Sequence, residues 1–364
     1  MAFGLFKKKK KVQDDNRYST LTIKEVVHIA KDAVNLVFDK PNGKFEYEPG
    51  QFITIIDTVH GEKLRRAYSL CTTPYLDKFP AVTIKRVPDG KMSNHINDHF
   101  KAGQKVEIMD PMGIFTIKYS SDTVRKAIFW GGGSGITPLY GMLRSVLNKE
   151  LFSKVALVYG NREEDYIVFK NELNALKEEY GSRFQLIHIL DNDPNGLTHH
   201  HGIPTPEMIG DIFEEIGFGA KAEHYICGPE PMMNVVSNGL DKLNIASELI
   251  KKESFEAGKK TSEPAKEDKP QKFTSSMVTI ELDGEEHTIE VSANESILDA
   301  GLEKDLDMPY SCQSGLCTAC RGKCVEGKIS LDDAEGISQD EIDEGYVLLC
   351  VGKPLTEKVK VIVG

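Results

Sequence analysis

The stretch Ser311-Cys-Gln-Ser-Gly-Leu-Cys-Thr-Ala-Cys-Arg-Gly-Lys-Cys324 decides how the last quarter of this 364-residue chain folds. Cys312, Cys317 and Cys320 in it are spaced C-x4-C-x2-C, and Cys350 follows after a long gap. The small residues between the first three cysteines let backbone N–H groups approach the sulfur atoms. The pattern therefore predicts a tight loop that wraps three thiolates around one edge of an inorganic centre, with a fourth thiolate supplied by a later strand.

This is the ligand spacing of a plant-type [2Fe–2S] cluster, which holds one electron at a potential of about −400 mV. The alternative is a zinc site, but zinc favours paired C-x2-C units and the chain has one such unit. We therefore predict Cys312, Cys317, Cys320 and Cys350 as the metal ligands. Cys324 lies outside the pattern, and we interpret it as a packed bystander.

Composition and charge describe a globular protein of two or three domains. Hydrophobic residues make up 40% and charged residues 28% of the chain. The net charge of −11 argues against nucleic-acid binding and suits docking onto a partner with basic patches. With four of seven cysteines used by the cluster, no secreted disulfide framework is expected, and a thiolate-bound cluster indicates the cytoplasm.

The N-terminal residues 1–16 form a basic tail with five consecutive lysines from Lys7 to Lys11. Its apolar part is too short for a signal peptide and precedes the charges instead of following them. The chain contains no run of about 18 apolar residues, so no transmembrane segment is predicted. We interpret the tail as a solvated segment.

Residues 17–121 predict a small antiparallel β-barrel. Apolar, β-branched segments over 21–27, 33–38 and 51–56 are separated by turn residues at 41–43 and 49–50. Arg66-Ala-Tyr-Ser69 falls on the expected fourth strand. Lys85 lies in a further strand over 82–86, and Gly90-Lys-Met-Ser93 follows as a turn before a helix.

Residues 122–256 alternate strand and helix, which predicts a parallel sheet covered by helices. We expect strands over 126–130, 155–159, 184–190 and 224–227, and helices over 136–146, 169–180 and 205–216. The glycine run from Gly131 to Gly135 lets a phosphate approach the backbone at a strand–helix turn. Three consecutive histidines, 199–201, cannot all face one ion, so we assign them to a surface loop.

The second strand of this sheet ends in Asn161 and Arg162 and carries no carboxylate to grip a ribose 2′-hydroxyl. Arg162 could instead take a 2′-phosphate, which favours NADPH over NADH.

Residues 257–275 are too polar to bury a core and predict a linker. In the C-terminal domain, residues 276–364, strands over 277–282 and 286–291 form a hairpin around Asp283-Gly284. A helix over 296–303 leads into the cysteine loop. This order predicts an α+β domain of the β-grasp type.

Four motifs in order carry a resemblance to a known superfamily. They are R-x-Y-S at Arg66–Ser69, P-x-G-x-F at Pro111–Phe115, G-x-G-I-T-P at Gly133–Pro138 and C-G-P-x-x-M at Cys227–Met232. Together they resemble the ferredoxin–NADP reductase superfamily, here joined to a C-terminal plant-type [2Fe–2S] ferredoxin domain. The resemblance is greatest to the phenylacetyl-CoA epoxidase reductases and related oxygenase reductases.

The resemblance implies a set of site residues. It implies catalytic roles for Ser69, Cys227 and Glu253, the last in an E-x-F ending at Phe255. The residues that it implies for FAD and nicotinamide-dinucleotide binding are Arg66, Ala67, Tyr68, Ser69, Lys85, Gly90, Lys91, Met92, Ser93, Gly132, Gly133, Ser134, Gly135, Thr137, Pro138, Asn161, Arg162, Cys227, Gly228, Pro229 and Met232.

The function implied is an oxidoreductase that passes electrons from NADPH or NADH through FAD and the [2Fe–2S] cluster to an oxygenase component. The expected acceptor is a di-iron aromatic-CoA or ring monooxygenase. One alternative is an FMN-dependent reductase of a Rieske dioxygenase, which is disfavoured because the Gly90–Ser93 turn suits the pyrophosphate of a dinucleotide. Another is a non-catalytic redox-sensing module.

The ligand assignment predicts how single cysteine variants behave. Serine at position 312, 317, 320 or 350 should abolish or shift the visible absorbance of the cluster, because each change removes one thiolate ligand. Cys324→Ser is the matched control and should keep the absorbance of the unmodified protein. Loss of the cluster in the Cys324→Ser protein would contradict the assignment.

Overall fold

The computed structural model describes residues 18–40, 45–255, 274–315, 317–331, 334, 336–337 and 339–363. The predicted basic tail, the turn over 41–43 and the predicted linker as far as residue 273 lie outside these residues. Among the described helices, none is both long and apolar enough to cross a bilayer.

The N-terminal domain is an antiparallel barrel, as predicted. Its six strands form a sheet in the order β4-β3-β6-β1-β2-β5, and a bridge between Leu70 and Val82 joins the two edge strands. One continuous apolar core, including Ile23 and Ile55, fills its interior. The elements are β1 (Tyr18–Ala30), β2 (Ala33–Phe38), β3 (Phe52–Val59), β4 (Glu62–Ser69), β5 (Ala81–Lys85), α1 (Lys91–His99) and β6 (Lys105–Met112).

The central domain is a six-stranded parallel sheet in the order β10-β9-β8-β7-β11-β12, which also agrees with the prediction. Its central strand β7 is fully buried from Ala127 to Trp130, as expected for a sheet covered on both faces. The elements are β7 (Lys126–Gly132), α2 (Ile136–Lys149), β8 (Lys154–Asn161), α3 (Lys170–Tyr180), β9 (Phe184–Leu190), β10 (His200–His201), α4 (Pro206–Ile216), β11 (Glu223–Cys227), α5 (Glu230–Lys242) and β12 (Ile250–Glu253).

The strand order of this sheet reverses beside β7, because β8 pairs with one edge of β7 and β11 with the other. Ligands of open parallel sheets bind outside the carboxyl ends of the strands at such a switch point. The glycine run follows β7 and the Cys227-Gly228 turn follows β11, so the topology brings both predicted motifs to this crevice. The sequence patterns predict the last strand, which ends at Glu253 as β12 does, but they do not predict α5.

The C-terminal domain has a mixed five-stranded sheet in the order β14-β13-β19-β15-β17. Asp283 and Gly284 both have positive φ (54° and 78°), as the predicted two-residue hairpin turn requires. Ser296 caps the next helix by accepting a hydrogen bond from the N–H of Asp299 (3.0 Å). The elements are β13 (Ser275–Leu282), β14 (Glu285–Ser292), α6 (Ile297–Glu303), β15 (Arg321–Glu326), β16 (Ile329–Ser330), α7 (Gln339–Asp343), β17 (Tyr346–Leu348), β18 (Lys353–Pro354) and β19 (Lys358–Val363).

The barrel and the central sheet pack tightly against each other. One apolar cluster runs from Ala81 and Phe115 of the first domain to Tyr140 of α2. At its edge Arg144 makes a bidentate ion pair with Asp77, with N–O distances of 2.9 and 3.0 Å. The cleft between these two domains is therefore held in a fixed shape.

Candidate active site

A cavity of about 470 Å³ lies in the cleft between the barrel and the central sheet. Most of its lining comes from five groups of residues: Arg66–Ser69 of β4, Thr83 with Lys85 of β5, the turn and first residues of α1 from Asp89 to Ser93, Ser134 with Thr137 around the start of α2, and Phe255. Eleven of the sequence-predicted residues are thus brought to one cavity: Arg66, Ala67, Tyr68, Ser69, Lys85, Gly90, Lys91, Met92, Ser93, Ser134 and Thr137.

Strand β4 supplies the polar groups of one wall. Its pleat points alternate side chains to opposite faces, so Arg66 lies in the cavity while Arg65 faces away. Arg66 donates one hydrogen bond to the carbonyl of Arg65 (2.7 Å), which holds the guanidinium beside the strand. Burial raises the pKa of the Tyr68 phenol, so Tyr68 stays a neutral hydrogen-bond donor.

The N-terminus of α1 forms a second wall. Gly90, its N-cap residue, makes no side-chain cap hydrogen bond, and Gly90 to Ser93 line the cavity. A Cβ at Gly90 would meet the hydroxyl of Ser93 at 2.6 Å and the side chain of Val87 at 2.9 Å. Helix N-termini of this kind attract phosphates, because the N–H groups and the helix dipole both favour negative charge.

The glycine loop after β7 packs backbone to backbone against the turn after β11. A Cβ at Gly135 would lie 2.0 Å from the carbonyl oxygen of Cys227, and one at Gly132 would lie 2.9 Å from Pro229. Gly133 has φ +52° and opens toward Lys85, whose Nζ would be 3.8 Å from an added Cβ. Two of the glycines therefore serve the packing of the loops, and Gly133 supplies the open backbone.

Positive charge gathers beside this loop. Burial lowers the pKa of Lys85, and the nearby charge of Arg162 lowers it further, while Asp32, 3.8 Å from Lys85 Nζ, opposes the shift. Asn161 is 7% exposed, and both its amide atoms are buried without a hydrogen-bond partner among the described residues. Unpaired buried amide atoms next to two cations fit a phosphate-bearing ligand such as a nicotinamide dinucleotide.

Cys227 and Glu253 are paired neighbours on β11 and β12. The Cys227 thiol is fully buried, and burial, with the Glu253 carboxylate as a smaller cause, raises its pKa well above the ordinary range. Burial also raises the pKa of Glu253 from 4.5 to about 8, and its Oε2 has no partner among the described residues. Cys227 is thus a neutral thiol in the core, whereas Glu253 can hold a proton at neutral pH.

The four predicted cluster ligands converge in the C-terminal domain. Hydrogen-bonding interactions among their thiols lower the pKa of Cys312 and raise those of Cys317 and Cys350. The N–H of Gly315 donates to Cys350 Sγ (3.3 Å). The hydroxyl oxygen of Ser311 is buried without a partner among the described residues, and the Ser314 side chain lies close enough to Cys312 to lower its pKa. Both hydroxyls therefore fit donation to the sulfur atoms of a cluster.

A second cavity, of about 210 Å³, lies between β4 of the barrel and this cysteine loop. Arg66, Ser69, Glu253 and Phe255 line one side, and residues 311–314 with Cys317 line the other. Ser69, 3% exposed, thereby borders both cavities. The residues present fit an isoalloxazine ring between the nicotinamide crevice and the cysteine loop.

Several predicted residues lie outside both cavities. They are Gly132, Gly133, Gly135, Pro138, Asn161, Arg162, Cys227, Gly228, Pro229 and Met232. They form or border the crevice at the switch point. Sequence reasoning missed Phe52 and the Arg65 contact, since neither belongs to a motif, although Arg65 stands next to the motif arginine.

The histidine run 199–201 lies at the far edge of the sheet. His199 and His200 both place Nε2 near Glu215 Oε2, at 3.3 and 2.9 Å, and their ligand atoms are close enough to hold an ion. His201 instead faces Asp193 at 3.9 Å.

Three family profiles match the chain. An oxidoreductase FAD-binding domain matches residues 20–117, an oxidoreductase NAD-binding domain matches 129–238, and a 2Fe-2S iron–sulfur cluster binding domain matches 280–355. FAD, a nicotinamide dinucleotide and a [2Fe–2S] cluster are therefore the cofactors of the fold.

Relatives match over nearly the whole length. The ferredoxin reductase component of the 3-ketosteroid-9-alpha-monooxygenase of Rhodococcus rhodochrous is 33% identical over 96% of this chain and 98% of its own. One subunit of the 1,2-phenylacetyl-CoA epoxidase of Escherichia coli is 31% identical over 94% of this chain and 97% of its own. The solved structure of phthalate dioxygenase reductase has the same fold, with a TM-score of 0.59 and 24% identity over 95% of this chain and 98% of its own.

Fold, site and relatives define a flavin- and nicotinamide-dependent iron–sulfur reductase. The chain belongs to the ferredoxin–NADP reductase superfamily, in the group with a C-terminal [2Fe–2S] ferredoxin domain to which these oxygenase reductase components belong.

The raised pKa of Glu253 predicts a pH dependence of stability. The folded state holds this proton up to about pH 8, whereas the unfolded chain releases it near 4.5. The contribution of this proton to stability is therefore full below pH 4.5 and is lost as the pH rises to about 8. In thermal melts of the holoprotein, the Tm of Glu253→Gln should exceed that of the unmodified protein by a margin that grows as the pH rises from 4.5 to about 8 and then stays constant. Glu248→Gln, at an exposed carboxylate, is the control; equal pH profiles for all three proteins would contradict the prediction.

Proposed function

We propose that this protein oxidises NADPH or NADH and delivers the electrons one at a time, through its ferredoxin domain, to an oxygenase component. The observation that carries the proposal is the arrangement of the second cavity, where the flavin-side residues Ser69 and Glu253 face the loop of Cys312 and Cys317. The proposed flavin site and the proposed cluster site therefore border the same cavity.

Each step has residues suited to it. Arg66 and the α1 N-terminus hold the phosphates, while the Ser69 hydroxyl and Tyr68 lie along the ring-binding wall. When bound, FAD supplies the exchange between a two-electron hydride and the single electrons of a [2Fe–2S] cluster. Glu253 can hold or release a proton beside the crevice, and Phe255 lines both cavities.

The acceptor that we propose is a monooxygenase of an aromatic-CoA or ring substrate. The two relatives that match along their full length serve a 3-ketosteroid monooxygenase and a phenylacetyl-CoA epoxidase. FAD is favoured over FMN because the cavity reaches Gly90–Ser93, where a second phosphate can meet the helix N-terminus. We place the reaction in the cytoplasm, where thiolate ligands stay reduced.

The full-length protein tests this function. With NAD(P)H it should reduce ferricyanide, and it should support product formation by the oxygenase components of the epoxidase or of the ketosteroid monooxygenase. Cys350→Ser should keep ferricyanide reduction, because the flavin can reduce ferricyanide directly. It should lose oxygenase turnover, because the [2Fe–2S] cluster that passes electrons to the oxygenase lacks one of its four ligands. Cys324→Ser should keep both activities. Equal oxygenase turnover by the Cys350→Ser and unmodified proteins would refute an exit through the cluster. Absence of any NAD(P)H turnover would instead favour a redox-sensing module.

We also propose NADPH as the preferred nucleotide, since Arg162 follows the buried Asn161 and lies exposed at the carboxyl end of β8. Its guanidinium carbon lies 6.0 Å from the Tyr166 ring. Arg162→Ala should raise the KM for NADPH by about 10- to 150-fold, the loss of one charge-assisted contact. The KM for NADH is the internal control and should change little. Similar increases in the KM for both nucleotides would contradict the proposed preference for NADPH.

A further inference from the structure

Arg65 joins the barrel to the ferredoxin domain. Its guanidinium donates hydrogen bonds to Asp307 Oδ1 (3.0 Å), to the carbonyl of Met308 (3.3 Å) and to the Tyr18 hydroxyl (3.2 Å). The guanidinium carbon also lies 4.6 Å from the centre of the Tyr310 ring. Arg65 is only 7% exposed, and both of its terminal nitrogens donate hydrogen bonds within this contact.

The burial of this arginine is informative. Removing a guanidinium from water costs free energy unless its donors are paired. Here two of the three hydrogen-bond partners, Asp307 and Met308, come from a domain whose carboxylates outnumber its lysines and arginines by more than two to one. Such a residue is well suited to a specific, charge-guided contact between two folded domains. An exposed surface ion pair, by comparison, contributes little.

The residues of this contact are adjacent in sequence to residues that line the two cavities. On the barrel side, Arg66 is the next residue on β4 and points to the opposite face, into the flavin cavity. On the ferredoxin side, Asp307 to Tyr310 lead directly into Ser311 and Cys312, which line the second cavity. A shift at Arg65 would therefore displace the cysteine loop relative to the flavin wall.

We infer that Arg65 is a positioning residue that docks the ferredoxin domain on the barrel and so sets the geometry of flavin-to-cluster electron transfer. The docking itself is independent of the proposed function, whereas its effect on electron transfer rests on that function. Arg65 touches neither cavity, so its removal should leave flavin binding and flavin reduction intact.

The first test measures docking in the full-length holoprotein. Arg65→Ala should weaken the docking equilibrium by about tenfold or more, the expected loss for a buried charged contact. Small-angle X-ray scattering should show a larger radius of gyration, and hydroxyl radicals should oxidise the Tyr310 ring faster. Lys63→Ala is the matched control, since Lys63 is an exposed cation on the same strand paired only at 3.5 Å with Glu107 of the barrel. The control should resemble the unmodified protein in both measurements.

The second test measures rates by stopped-flow absorbance after mixing with NAD(P)H. In Arg65→Ala, flavin reduction should keep its rate while reduction of the cluster slows, and Arg65→Lys should recover part of that rate. Asp307→Ala is a second variant, to be used if Arg65→Ala folds poorly. The Asp307 side chain is 62% exposed, so its removal should not disturb a hydrophobic core. This variant should show a smaller change in the same direction.

Scattering and Tyr310 oxidation unchanged in both Arg65→Ala and Asp307→Ala would overturn the docking role. Altered docking with an unchanged rate of cluster reduction would overturn the positioning role. An unmodified protein in which NAD(P)H reduces no flavin would count against the proposed function alone, because the docking measurements do not depend on it.

Discussion

The alternation of side chains along β4 is the constraint on which the site depends. Because successive residues of a strand point to opposite faces, Arg66 reaches the flavin cavity while Arg65 reaches the ferredoxin domain. Ser69, on the same strand, borders both cavities. A deletion or insertion of one residue in β4 would exchange these faces and separate the phosphate site from the domain contact.

Close backbone packing is the second constraint. The loop after β7 and the turn after β11 approach so closely that Gly135 has no room for a Cβ against Cys227. This explains why two loops that are far apart in the sequence act as one crevice. At this contact the carbonyl of Cys227 meets Gly135, while burial raises the pKa of the Cys227 thiol.

Electrostatics differs between the two ends of the electron path. At the crevice of the central sheet, Lys85 and Arg162 bring two positive charges together, and burial raises the pKa of Glu253 to about 8. The ferredoxin domain is acidic, which suits both its docking on Arg65 and the attraction of a basic partner.

The sequence by itself determined the three fold classes and the cofactors, because these depend on local patterns. The C-x4-C-x2-C spacing, the R-x-Y-S strand and the Asp283-Gly284 turn each carry their chemistry within a few residues. Only the tertiary structure decided which residues meet: it brought Ser69 and Glu253 to the cysteine loop, and it placed Arg65 against Asp307. Neither Arg65 nor Asp307 belongs to a motif, and 242 positions separate them. Contacts at such separation depend on how whole domains pack, which no local periodicity records.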